Sequence, residues 1–201
     1  MSSMRRTLSH LKSVVSNPLL YYRTLFRRWE GTDKARWEEP SNLRGEWDER
    51  TAIIAGRIPP GSTVIEFGAA RLSLPRYLAP GCQYQPVDLV ARSPETLVFD
   101  LNGELPPLPS RYDYAVFSGV LEYVADLDRL FSWLKTYADH VIFSYATLER
   151  LSDPITRRQN GWINAFSEGE IAALMQRSGL NCRFQEPWKE QLIFTCAFAA
   201  H

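Results

Sequence analysis

Short apolar runs rich in β-branched residues alternate with segments of helical spacing through most of this 201-residue chain. The first run, TVIEF at residues 63–67, is bounded by glycines and follows a helix-spaced segment at residues 47–58 that ends at Pro-Pro-Gly. Strands that alternate with helices in this way pair in parallel and are covered on both faces. The alternation therefore predicts an α/β fold with a doubly wound, mostly parallel sheet.

The same alternation continues downstream of residue 67. We predict strands at residues 83–90, 112–118, 140–145, 182–184 and 191–198, an extended piece at 97–101, and helices near 73–78, 126–137 and 167–178. The last helix begins with SEGE, a capping box in which a serine and a glutamate satisfy each other's backbone N–H groups. A chain of this length is expected to form one large domain or a domain with a short appendage.

Composition excludes several classes of protein. Lys plus Arg and Asp plus Glu number 23 each, so no overall field attracts nucleic acid, which is not expected as a partner. The cysteines Cys82, Cys182 and Cys196 lack CxxC spacing, which gives no support for a disulfide framework or a zinc site and favours a reducing, cytoplasmic setting. With few His and Cys residues and no paired carboxylates at ligand spacing, no metal is predicted. No apolar run approaches the roughly 20 residues that span a bilayer.

Residues 1–43 differ from the rest of the chain in charge. No acidic residue precedes Glu30, while Arg and Lys recur, and apolar residues at mixed spacings of three and four around Pro18 predict two short amphipathic helices. Polar residues 31–42 are interpreted as a linker, with the main domain at residues 44–201. A helical cap on that domain is favoured over a membrane-binding or targeting segment, and a substrate lid fits the aromatic density equally well.

Ligands of a doubly wound sheet bind beyond the carboxyl ends of its strands, because loops and helix N-termini converge there. Segments that belong at such ends are VIEFGAAR at 64–71, QPVDL at 85–89, FDLN at 99–102 and YDYAVFSGVLEYV at 112–124, with NGWINAFSEGE at 160–170 before the late helix. In this order they resemble the class I S-adenosylmethionine-dependent methyltransferase family, of the type 11 and type 12 kind. The resemblance covers the chain from Arg50 onward and implies a Rossmann-like seven-stranded sheet with S-adenosylmethionine as cofactor.

The resemblance also implies which residues contact that cofactor. Gly68 would let the first loop approach the methionine part, a carboxylate at Asp88 would accept from the ribose hydroxyls, and Asp100 would accept from the adenine amine. The full set implied is Glu66, Gly68, Ala69, Ala70, Asp88, Leu89, Asp100, Leu101, Ser118 and Gly119.

The first loop departs from the family pattern. The family has an acid followed by three glycines at alternate positions, but Ala70 and Leu72 replace the second and third glycine here. A methyl group at Ala70 is tolerated where the backbone stays in an allowed region, whereas the larger Leu72 is expected to displace the loop. A relative that no longer catalyses methyl transfer is the alternative that this departure keeps open.

Methyl transfer depends mainly on alignment and on the exclusion of water, so few catalytic residues are expected to be visible in the sequence. If the acceptor is an alcohol, a base must take its proton, and the candidates are Glu122, Tyr123, Tyr145 and Glu149. Trp162 and Asn164 are candidates for a wall over the acceptor. The expected acceptor is a small molecule or a glycan precursor, methylated on oxygen.

Three other functions compete with this interpretation. Residues 99–145 also resemble the MetW type of methionine biosynthesis, whose members work with a partner acyltransferase, which makes a partner-binding protein the main alternative. A nicotinamide-dependent oxidoreductase is disfavoured because the first loop lacks GxGxxG. A nucleic-acid methyltransferase needs a basic, aromatic groove, for which only the first thirty residues have the composition.

Overall fold

A computed structural model describes residues 32–199, which form a seven-stranded sheet of order β3-β2-β1-β4-β5-β7-β6. The first five strands are mutually parallel, and β7 is antiparallel to both of its neighbours. The strands are β1 Thr63–Phe67, β2 Gln83–Asp88, β3 Leu97–Val98, β4 Tyr112–Phe117, β5 Ala138–Tyr145, β6 Leu180–Trp188 and β7 Gln191–Phe198. The predicted mostly parallel, seven-stranded sheet is confirmed.

Residues 32–199 include five α-helices of five to ten residues. They are α1 Lys34–Glu38, α2 Asp48–Ala55, α3 Leu127–Leu134, α4 Pro154–Gln159 and α5 Glu168–Arg177. The helix predicted near residues 73–78 is instead one 3-10 turn at Leu74–Arg76. Pro80 disfavours helical backbone at the residue before it, so little chain remains in which a longer helix could form.

The segment interpreted as a linker is partly helical. Asp33 caps the N-terminus of α1, where its carboxylate accepts a hydrogen bond from the backbone N–H of Arg36 at 3.0 Å. The interpretation of residues 31–42 as a linker or loop is therefore wrong at Lys34–Glu38, which is helical. The two amphipathic helices predicted within the first thirty residues lie outside the described residues.

The core lies in two layers because the side chains of the central strands alternate between the faces of the sheet. On β4, Phe117 belongs to the layer beneath α3 and α5, whereas Val116 packs with Ile54 of α2 on the other face. Phe67 of β1 stacks on Phe117 with ring centroids 4.6 Å apart. Burial on both faces holds β1 and β4 side by side, so that their following loops emerge together at one edge.

Cys182 and Cys196 face each other across the antiparallel pair of β6 and β7 and form a disulfide. Cys82 is free. The cysteine spacing had given no support for a disulfide, and this interpretation is wrong for one pair. The pairing depends on the register of the two strands, which the spacing of the cysteines does not reveal.

No helix within residues 32–199 is long and apolar enough to cross a membrane. Within the same residues, no cluster of three or more His, Cys, Asp or Glu side chains is arranged to hold a metal ion.

The capping box predicted for the late helix is present at the start of α5. Ser167 Oγ accepts from the N–H of Glu170 at 3.2 Å, and Glu170 Oε2 accepts from the N–H of Ser167 at 2.7 Å. We expect Ser167→Ala to lower the free energy of unfolding by about 1 kcal/mol in urea denaturation, because one N–H group of the first turn loses its partner. Ser110→Ala, in an exposed loop, is the control, and an equal loss in both variants would contradict the prediction.

Candidate active site

A cavity of about 410 Å³ opens at the carboxyl ends of β1, β2 and β4. Its walls are rich in aromatic side chains, namely Trp37, Trp47, Tyr123, Trp162 and Trp188. Eight of the ten predicted cofactor residues line it: Gly68, Ala70, Asp88, Leu89, Asp100, Leu101, Ser118 and Gly119. Loops that are far apart in the sequence therefore converge at the edge of the sheet where ligands of this architecture bind.

Gly68 starts the loop after β1 in a left-handed conformation, with φ of 72°. Its backbone N–H donates to the carbonyl of Val87 at 2.8 Å, which joins the loop to the end of β2. A Cβ at this position would lie 2.5 Å from Cγ2 of Val120. Both the backbone angle and the close approach therefore require glycine here.

Ala70 and Leu72, which replace the family glycines, also have left-handed backbones, with φ of 46° and 52°. The loop thus keeps at both positions a conformation that glycine favours, although the side chains make it costly. The side chain of Leu72 is half-buried and does not line the cavity, whereas Ala70 does. Leu72 therefore does not enter the cavity, and the displacement of the loop that its size implies stays a prediction.

Asp88, predicted to bind a ribose, already accepts hydrogen bonds within the chain. Its Oδ2 accepts from the N–H of Ala70 at 2.8 Å and its Oδ1 from the N–H of Val90 at 3.0 Å. Nη2 of Arg92 lies 3.3 Å from Oδ1 and donates to the carbonyl of Trp37 at 2.7 Å. Asp88 therefore stabilises the shape of the first loop as well as facing the cavity.

Residues 32–47, which we call the strap, form the outer wall of the cavity. Thr32 Oγ1 donates to Oδ1 of Asp100 at 2.8 Å, and both terminal nitrogens of Arg36 donate to the carbonyl of Gln159 at 3.1 Å. Together with the contact of Arg92 to the carbonyl of Trp37, these bonds tie the strap to both predicted nucleoside-binding acids and to α4.

Arg50 of α2 is a cavity residue that the sequence analysis did not predict. Its Nε donates to Oγ of Ser118, and its Nη2 donates to the carbonyl of the same residue, both at 2.9 Å. Its Nη1 donates to Oε1 of Gln191 at 2.5 Å. A Cβ on Gly119, whose φ is 69°, would lie 2.5 Å from Nη1, so the absence of a side chain there makes room for the guanidinium.

The guanidinium of Arg50 is a buried cation. The side chain is 5% exposed, and the indoles of Trp47 and Trp188 lie 6.0 and 5.2 Å from Cζ. Burial lowers the pKa of Arg50 to about 10, so the group stays charged at neutral pH. Among the described residues, no carboxylate lies within ion-pair distance of it. A cavity-lining cation in this environment is suited to an anionic ligand.

One sequence signal could have identified Arg50. It lies four residues before Ile54, which is fully buried, and so on the core-facing side of the predicted helix. Burial of a cation is costly unless it is paired, so a cation at a core-facing position next to a predicted binding edge indicates an anionic partner.

Glu66 and Ala69, two predicted cofactor residues, are not among the residues that line the cavity. Glu66 is 3% exposed and accepts a hydrogen bond from the hydroxyl of Tyr84 at 2.5 Å. Burial raises the pKa of Glu66 to about 8. Its side chain faces the layer beneath α2 because it alternates with the cavity-side Phe67 along β1.

Of the four candidate bases, only Tyr123 lines the cavity. Burial raises the pKa of Tyr123 to about 12, and its hydroxyl donates to the carbonyl of Asn160 at 2.9 Å, so it is not poised to accept a proton. Glu122 and Tyr145 are fully buried behind the wall, and Glu149 is exposed elsewhere, where it accepts from the N–H of Glu168.

The two residues expected to wall the acceptor have separate roles. Trp162 lines the cavity and lies 4.9 Å from the guanidinium of Arg157. Asn164 does not line it, because its amide donates to the carbonyls of Leu121 and Val124 and its Oδ1 accepts from Tyr145. Asn164 thus anchors the loop after β4.

We expect Ala70→Gly to leave the free energy of unfolding unchanged or to raise it by up to about 1 kcal/mol. The left-handed backbone costs a non-glycine residue roughly 1–2 kcal/mol, and the extra freedom of glycine in the unfolded chain offsets about half of this. Ala69→Gly is the matched control, because Ala69 is buried without a positive φ and should lose about 1 kcal/mol. Equal losses in urea denaturation of both variants would show that Ala70 is not strained.

The raised pKa of Glu66 predicts a pH-dependent stability. Between the ordinary pKa near 4.5 and the folded value of about 8, the folded chain holds a proton on Glu66 that the unfolded chain has lost. The contribution of Glu66 to the free energy of unfolding is therefore fully present at low pH and is lost as pH rises through this range to about 8. Relative to the wild type, Glu66→Gln should gain stability from pH 5 to pH 8, by up to about 1.4 kcal/mol per pH unit. Chemical denaturation at several pH values measures this, with exposed Glu104→Gln as the control; parallel profiles for wild type and Glu66→Gln would refute it.

Comparisons with known proteins agree with this architecture. A methyltransferase of calicheamicin biosynthesis, solved with S-adenosylhomocysteine, is similar with a TM-score of 0.61 and 17% identity over 77% of this chain and 54% of its own. The mitomycin 7-O-methyltransferase has a TM-score of 0.63 and 17% identity over 98% of this chain and 67% of its own. The 1,6-didemethyltoxoflavin-N1-methyltransferase of Burkholderia thailandensis has a TM-score of 0.59 and 17% identity over 92% of this chain and 89% of its own.

This chain spans about half the length of the calicheamicin enzyme. No curated protein sequence matches it significantly. Residues 40–184 match the family described as a methyltransferase domain, which is most of the chain. With the sheet order and the cavity at its carboxyl edge, this match shows that the chain belongs to the S-adenosylmethionine-dependent class I methyltransferase family.

Proposed function

We propose that this chain transfers a methyl group from S-adenosylmethionine to an oxygen atom of a small-molecule or glycan-precursor acceptor. The observation that supports it best is the buried Arg50, a cation that lines the same cavity as Asp88 and Asp100 and has no carboxylate within ion-pair distance among residues 32–199. An adenosine bearing an amino acid needs acceptors for its hydroxyls and amine and a cation for its carboxylate, and the cavity has both.

The cavity residues divide by the part of the cofactor that they would hold. Arg50 would bind the amino-acid carboxylate, and Ser118 with Gly119 keeps that guanidinium in place. Asp88 would accept from the ribose hydroxyls and Asp100 from the adenine amine, with Leu89 and Leu101 as apolar cover. When bound, the cofactor supplies an electrophilic methyl group on a sulfonium, so these residues need to orient it rather than activate it.

The aromatic walls and the strap would exclude water from the reacting atoms. None of the four candidate bases is placed to take a proton. Besides Asp88 and Asp100, the carboxylates that line the cavity are Glu46 and Glu190, and both are exposed to solvent. We therefore propose an acceptor oxygen that is already acidic, such as that of a phenol or a carboxylic acid. The mitomycin enzyme supports oxygen as the atom, whereas the toxoflavin enzyme makes nitrogen the alternative outcome.

A partner-binding protein of the MetW kind is the second candidate. One observation favours it: the two acids proposed to bind the nucleoside already have partners within the chain. Arg92 lies within ion-pair distance of Asp88, and Thr32 donates a hydrogen bond to Asp100. Such a protein would retain the fold without needing the cofactor.

We propose that residues 1–43 form an N-terminal extension and linker and that residues 44–201 form the main domain. The cytoplasmic setting also stays a prediction, and the bridge between Cys182 and Cys196 counts against it because disulfides are rare in reducing compartments.

The test is thermal unfolding with and without excess S-adenosylhomocysteine. We expect a rise of several degrees in the wild type, because ligand at a hundred times its Kd adds about 2.7 kcal/mol. Arg50→Met should lose most of this rise, while Arg111→Met, an exposed arginine at the opposite end of β4, should keep it.

Two results would count against the proposal. No rise in the wild type at millimolar ligand would favour the partner-binding candidate. A full rise in Arg50→Met would show that the buried cation does not contribute to cofactor binding.

A further inference from the structure

A buried hydrogen-bonded chain runs from α2 to the end of β5, and two of its members, Arg50 and Gln191, also line the cavity. Nη1 of Arg50 donates to Oε1 of Gln191, and Nε2 of Gln191 donates to Oε1 of Glu122 at 2.9 Å. The same carboxylate oxygen accepts from the backbone N–H of Ala146 at 2.9 Å. Gln191 is 7% exposed and Glu122 is fully buried, so water does not compete for these contacts.

The two neighbours of Gln191 allow its amide only one orientation. A guanidinium donates and never accepts, so the amide oxygen must face Arg50. The amide nitrogen then faces Oε1 of Glu122, which Ala146 holds in place. The first residue of β7 thus connects the cavity cation to the fixed backbone at the end of β5.

The same contacts leave part of the Arg50 guanidinium available. It has five N–H groups, of which three donate to Ser118 and Gln191, so within the described part of the chain one remains on each terminal nitrogen. Both terminal nitrogens lie next to Gly119, at the place where a residue other than glycine would have its Cβ. Burial raises the pKa of Glu122, and the nearby charge of Arg50 opposes that rise.

We propose that Gln191, oriented by Glu122, is a positioning residue that fixes the guanidinium of Arg50 for the carboxylate of the cofactor's amino-acid part. The inference rests on the proposed function, since it assumes that this carboxylate binds Arg50. Gln191 would act through Arg50 and not through the nucleoside, for which Asp88 and Asp100 are the proposed acceptors. Its removal should therefore affect only ligands that have the carboxylate.

Two ligands separate these effects: S-adenosylhomocysteine and 5′-methylthioadenosine, which has the same adenosine thioether without the amino acid. By calorimetric titration, we expect Gln191→Met to weaken S-adenosylhomocysteine binding about tenfold or more, as for loss of a hydrogen bond to a charged group, and to change 5′-methylthioadenosine binding less than about twofold. Gln176→Met, on the exposed face of α5, should change neither.

Gln191→Glu is the second variant, in case the methionine variant does not fold. A carboxyl group there would still accept from Arg50 but has no N–H to donate to Oε1 of Glu122, so Glu122 would no longer orient it and the same selective loss is expected. Unchanged S-adenosylhomocysteine affinity, or equal losses for both ligands, would overturn the inference. If the wild type binds neither ligand, the proposed function fails and the inference fails with it, whereas selective loss in Arg50→Met without any in Gln191→Met overturns the inference alone.

Discussion

The parallel pairing of β1 with β2 and β4 determines where everything else in the site lies. Phe67, the last residue of β1, is in register with Val87 near the end of β2 and with Phe117 at the end of β4. Because parallel strands end at the same edge, the residues that follow, Gly68 and Ser118, come together with Asp88. Burial of the strands on both faces prevents a slip of register, since a shift of one residue would exchange the two core layers.

Around this edge the fold buries more ionisable side chains than a stable core requires. Arg50, Glu66, Glu122 and Arg157 are each at most 5% exposed. Arg157 donates to the carbonyls of Ala146, Leu151 and Asn164, which joins the loop after β5 to the loop before α5. Burial of a charge is costly unless hydrogen bonds satisfy it, so such groups are retained where a site needs a fixed orientation. Their clustering at one end of the sheet agrees with a binding site for a charged ligand.

The strap and the first loop donate hydrogen bonds to the two acids at the binding edge. Asp88 supports the left-handed backbone at Ala70 by accepting its N–H, and Asp100 accepts from Thr32 of the strap. On the proposed function, a bound nucleoside shares or replaces these contacts, so binding of the cofactor and the position of the strap are coupled. Arg92 connects the strap to this edge of the sheet, because it contacts both Asp88 and the carbonyl of Trp37 in the strap.

The sequence alone was sufficient to determine the sheet, the capping box and the loops that reach the cavity, and Gly68, Asp88, Asp100 and Gly119 of those loops line it. These features depend on local periodicity, turn chemistry and motif order, which neighbouring residues encode. Tertiary structure decided the rest: the burial of Glu122 and Tyr145, the helix at Lys34–Glu38, the pairing of Cys182 with Cys196, and the cation at the cavity. Arg50 meets Ser118 and Gln191 across 68 and 141 residues of sequence, and such contacts are set by how the layers pack and not by any local pattern.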